Sequence, residues 1–84
     1  MTDQDKIESI KKAIHEAALY VTCGLMPGGY DTATTFDAMG MDEEDRINLV
    51  YELEFLLSVD LGFEVGPTET PATLECRITG KFNK

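Results

Sequence analysis

A small all-α domain is the fold class this sequence predicts, and three observations carry the prediction. Two segments, one from Gln4 to Val21 and one from Asp42 onward, repeat apolar residues at helical steps of three and four. Each opens on acidic residues and meets a glycine beyond its last apolar position, the punctuation expected of helix ends. The chain is 84 residues long, 43% apolar and 27% charged, enough for one domain over 1–84 with one modest core. A large enclosed active site does not fit in it.

In the first helix, Ile7, Ile10, Ala13, Ile14, Ala17, Ala18 and Val21 line one face, and Lys6, Lys11, Lys12 and Glu16 the other. Asp3 or Asp5 is placed to accept from the first free amides, and Gly24 to take the left-handed conformation that stops the helix. "GLMPGGYDTATT" then holds three glycines and a proline and reads as a long irregular connection, which Leu25, Met26 and Tyr30 are expected to pin to the core. "TTFDAMG" suits one helical turn, capped by Thr34 or Thr35 and closed at Gly40.

The second helix is expected to start with Asp42 as its cap, bonded to the Asp45 amide, and to end near Asp60 or Gly62. Glu43, Glu44 and Asp45 then fill the first turn, where the helix dipole favours negative charge. Ile47, Leu49, Val50, Leu53, Phe55, Leu56, Leu57 and Val59 cover more than half of its circumference, which predicts burial over a broad face. The C-terminal segment reads two ways. Thr70 as cap and Pro71 at the first helical position favour a short helix carrying Leu74, Ile78 and Phe82. Residues 72–79 also alternate as a strand would, but only "GFEV", Gly62 to Val65, is on offer as a partner, so helix is preferred.

Sixteen Asp and Glu against seven Lys and Arg give a formal net charge of −9. Direct nucleic-acid binding needs cations to displace phosphate counterions, and an anionic membrane surface would repel this chain. A basic protein partner fits better, because long-range attraction speeds encounter. No apolar run approaches membrane-spanning length, and "MTDQDKIESI" lacks the features of a secretory signal, so the expected location is the cytoplasm. Cys23 and Cys76 have neither CxxC spacing nor a histidine context, which predicts buried free thiols rather than a metal or redox site.

Catalysis is not expected. His15 is the single histidine and lies beside the apolar stripe of the first helix, a surface or boundary position, so no converging Ser-His-acid or Cys-His set is indicated. "DAMGMDEED" fails as a calcium loop, since counting from Asp37 puts Met39, Asp42 and Asn48 at the third, sixth and twelfth positions. "MPGGY" lacks the Lys-Ser/Thr pair of a phosphate cradle and reads as a turn. Met26, Met39 and Met41 flank the long loop and the second helix as core anchors or, alternatively, as partner contacts.

From Lys6 to Phe82 the chain resembles an acyl carrier protein. In that family a phenylalanine precedes a Gly-x-Asp-Ser-Leu motif leading into an acidic recognition helix with a Leu-Val pair. Here Phe36 takes the phenylalanine's place, Gly40-Met41-Asp42 matches the Gly-x-Asp, Leu49-Val50 matches the pair, Glu54 matches a family acid, and "GFEV" resembles the strip that ends the helix. The resemblance implies a bundle of three long helices and a short one, with the acidic helix as a docking surface for Arg/Lys-rich patches. Glu43 and Glu44 stand where the family has its serine and leucine. A carboxylate cannot form the phosphodiester that holds phosphopantetheine, so no cofactor is expected.

The functional expectation is a non-catalytic, monomeric, acyl-carrier-like module. It docks on a basic protein surface through Asp42, Glu43, Glu44, Asp45, Glu52 and Glu54, without covalent cargo and without metal. One alternative is an acidic inhibitor or nucleic-acid mimic of the phage type that blocks a basic channel. Another is a true acyl or peptidyl carrier with an unconventional attachment site, for which Ser9 and Ser58 are the serines available.

Overall fold

The computed structural model describes residues 3–26 and 29–82, apart from the side chains of Asp3 and Phe82. The expectations placed on those two side chains and on Pro27 lie outside the described residues. Three helices follow one another: α1 (Asp3–Val21), α2 (Glu43–Leu57) and α3 (Pro71–Phe82). α1 is the spine. It packs against both other helices, whereas the backbones of α2 and α3 make no close approach among the described residues.

α1 buries Ile10, Ala13, Ile14, Ala17 and Ala18, with Ile7 and Val21 half-buried at the ends of the same stripe. Its alanines let two neighbours approach its axis closely, since interhelical distance follows side-chain size at the contact. The helix stops as Gly24 turns left-handed at φ +77°, and Cys23 before it does the same at φ +55°. Gly24 N–H donates to the Leu19 carbonyl at 2.8 Å, and the buried Thr22 hydroxyl to that of Ala18 at 2.7 Å.

Between α1 and α2 the chain makes the expected single turn. The Thr35 hydroxyl accepts from Ala38 N–H at 3.2 Å, Met39 N–H reaches the Thr35 carbonyl at 3.1 Å, and Gly40 closes the turn at φ +93°. This turn drives Phe36, Met39 and Met41 into the core, so Met39 and Met41 are anchors and not partner contacts. Met26 and Tyr30 pack against the core from the longer loop. Leu25 does not: it is 78% exposed, because the left-handed residues before it aim it outward.

The segment after α2 departs from expectation. α2 ends at Leu57, short of Asp60 and Gly62, because Ser58 turns left-handed at φ +52°. Residues 59–69 run on as an irregular strap, with Leu61 and Val65 buried and Val59 and Phe63 half-buried against the core. The strap fills the space between α2 and α3, and the fourth, short helix implied by the resemblance is absent among the described residues. Two backbone bonds, Phe36 N–H to the Glu69 carbonyl at 2.9 Å and Asp37 N–H to that of Pro67 at 3.1 Å, fasten the strap to the turn.

Residues 72–79 are helical, which removes the strand reading. Thr70 caps α3: its hydroxyl accepts from Thr73 N–H at 3.2 Å while the Thr73 hydroxyl accepts from Thr70 N–H at 3.0 Å. Pro71, Leu74 and Ile78 are buried and Ala72 and Cys76 are exposed, which is a helical and not an alternating pattern. Cys23 and Cys76 are free but exposed, against the expectation of burial, because one sits in the turn after α1 and the other on the outer side of α3. No helix among the described residues is long and apolar enough to cross a membrane.

Candidate docking face

α2 starts where its acids require. Asp42 keeps an extended backbone and accepts from Asp45 N–H at 2.9 Å, while the Asp45 carboxylate accepts from Asp42 N–H at 3.4 Å, closing a capping box. These two carboxylates serve the helix end. Glu43 and Glu44 occupy the first turn, are exposed, and have no hydrogen-bond or ion-pair partner among the described residues.

The six expected docking acids therefore separate into groups. Glu52 lies a further two turns along and is half-buried. Glu54 is half-buried too, and its Oε2 accepts from Leu61 N–H at 2.9 Å, pulling the start of the strap against the helix. Glu54 thus has a structural role at the end of the helix. What remains outward at the front of α2 is Glu43 and Glu44.

Arg46, the single cation of α2, faces inward. Its Nε donates to the Val65 carbonyl at 3.1 Å and its Nη1 to that of Met41 at 3.2 Å, so one guanidinium staples both flanking loops to the helix. A second clasp lies at the far edge of the strap. Arg77 pairs with Glu69, donates to the Glu64 carbonyl at 3.1 Å, and lies 4.0 Å above the Phe63 ring. Sequence reading missed both, because a basic residue carries no sign of which carbonyl it will meet.

It also overstated the burial of α2. Only Leu49, Val50 and Leu53 are buried. Ile47, Tyr51 and Phe55 stand at four-residue intervals on the outer side and are 45%, 65% and 78% exposed. α1 and the strap cover one side of α2, and nothing among the described residues packs over the other. The signal was legible as apolar residues spread over more than half of the helix, more than a single-sided contact can bury.

Beside this stripe runs a groove of about 490 Å³. Ile47, Val50 and Tyr51 form its α2 wall, Phe63 and Val65 face them from the strap, and Glu43 and Glu64 sit at its edges. A second cleft of about 340 Å³, between α1 and the start of α3, mixes Lys11, Lys12 and His15 with Glu8 and Glu75. There the ring of His15, itself at the surface, stacks on Tyr30 with centroids 4.3 Å apart. Burial, helped by the nearby Glu75 carboxylate, pushes the Tyr30 hydroxyl up to about 12.

Among the described residues no three His, Cys, Asp or Glu side chains converge to hold a metal ion. Compared with protein-family models, curated proteins and solved structures, the chain has no match.

Proposed function

We propose that this chain is a non-catalytic interaction module that docks the front of α2 on a basic surface of a partner protein, reversibly and without covalent cargo. The observation that carries the reading is the pair of exposed, unpartnered carboxylates of Glu43 and Glu44, ahead of an uncovered helix face. Asp42, Asp45 and Glu54 are held by bonds within the fold, whereas these two complement the helix dipole and leave their oxygens open to a partner. A net charge of −9 adds long-range attraction toward cations.

The likeness to acyl carrier proteins rests on sequence motifs and supports the same face. Glu43 at the position of the family's serine argues against a prosthetic arm at that position. The module then acts by occupying or scaffolding a partner surface.

Affinity capture with the native chain and with Glu43→Lys/Glu44→Lys tests the reading. A Glu43→Gln/Glu44→Gln form serves as control, since lysine at a helix front costs about 0.3–1 kcal/mol per site. The expected result is a specific partner lost with both variants while helicity by circular dichroism is kept; recovery unchanged by either variant overturns it. A nucleic acid that displaces the partner would favour the mimic instead. Added mass after incubation with coenzyme A and a phosphopantetheinyl transferase would reinstate the carrier.

A further inference from the structure

We infer that the groove between α2 and the strap seats an amphipathic, Lys/Arg-flanked helical segment of the partner, its apolar side chains against Ile47, Tyr51 and Phe63. The inference rests on the docking reading above and specifies the chemistry of the occupant.

The lining chooses among occupants. Ile47, Tyr51 and Phe55 rise along α2 over eight residues, about 12 Å at 1.5 Å per residue, and so form a linear track. A partner helix presents apolar anchors at i, i+3 or i+4, and i+7 over nearly the same length. A compact small molecule filling the groove would leave Phe55 uncovered, since that residue lies beyond the lining. The rim carries Glu43 and Glu64, with Glu44 adjacent at the helix front, while Arg46, the cation at the groove, is engaged with the Val65 and Met41 carbonyls. A second copy of this chain would bring the same carboxylates face to face at a net −9 each. An apolar strip flanked by cations satisfies both the track and the rim.

The groove is also held open by the fold. Arg46 ties Val65 of the strap wall to α2, and the Arg77 guanidinium over Phe63 braces the same wall from α3. A wall set in advance lowers the ordering cost of binding.

The probe is a synthetic amphipathic helix of leucine and lysine, titrated into the full-length, isotope-labelled chain and followed by amide shifts and calorimetry. A second peptide keeps every lysine and replaces leucine by glutamine. Shifts are expected to concentrate at 43–55 and 63–66, with the glutamine peptide at least about tenfold weaker. Ile47→Gln/Tyr51→Gln, which keeps a good helix former at exposed sites, should weaken the leucine peptide about tenfold as well. Equal binding of both peptides, or binding undiminished by Ile47→Gln/Tyr51→Gln, overturns the groove and leaves charge-driven docking standing. Binding of neither peptide overturns both readings. Dimerisation in sedimentation without peptide, abolished by the same variant, assigns the groove to a second copy and also overturns the inference.

Discussion

α1 and α2 are both rich in apolar residues, and they place them differently. In α1 the apolar positions keep to one stripe, Ile10 to Ala18, and the large apolar side chains left exposed, Leu19 and Tyr20, fall in its last turn. In α2 the buried Leu49, Val50 and Leu53 are outnumbered by four exposed apolar residues, Leu56 and, on the outer side, Ile47, Tyr51 and Phe55. A folding argument accounts for the stripe of α1 but for only part of the apolar surface of α2. Exposed aromatic side chains in register, rimmed by acid, are what an interaction surface retains at some expense in solubility.

The sharpest test of this contrast lies within α2 itself. Leu53→Ala removes a fully buried side chain and should destabilise the fold by about 2–5 kcal/mol in urea denaturation. Phe55→Ala, two residues on, should stay within about 0.5 kcal/mol, since the ring is 78% exposed. A comparable loss at Phe55 would mean that the outer face has a structural role, and the contrast would fail.

A smaller effect separates the two arginines' clasps from ordinary surface charge. Arg46→Met keeps much of the side-chain volume but removes both bonds to loop carbonyls, and about 2 kcal/mol should be lost. Amide shifts should then change at Met41 and Val65. An unaffected strap would show that the groove wall does not depend on Arg46.

The smallest effect belongs to the α1 side and appears only at high pH. The Tyr30 hydroxyl titrates near 10 when unfolded and is pushed up to about 12 in the fold, so the folded state favours its neutral form. That contribution is complete below pH 10 and is lost as pH rises toward 12. Tyr30→Phe should therefore flatten the alkaline decline in stability between those values, measured as denaturation midpoint against pH. An unchanged slope would place Tyr30 in water when folded.

Much of the helical framework was legible because its signals are local. Asp42 with Asp45, Thr70 with Pro71, and Gly24 each mark a helix end through bonds within a few residues, and each end forms where the sequence puts it. The strap was not, since its course depends on distant groups: Glu54 meeting Leu61, and Arg77 meeting Glu64 and Glu69. For the candidate face, the front acids were visible as a run, but their division into capping and free carboxylates depends on backbone geometry. The exposure of Tyr51 and Phe55 depends on a helix that never arrives to cover them.

That α1 packs closely on both other helices, while the backbones of α2 and α3 stay apart among the described residues, has a mechanical consequence. α1 is the keystone of a two-armed arch, with the side chains of both arms meeting its stripe in one core. A single bulky intrusion among its buried alanines, Ala13, Ala17 and Ala18, would strain the seating of both arms together.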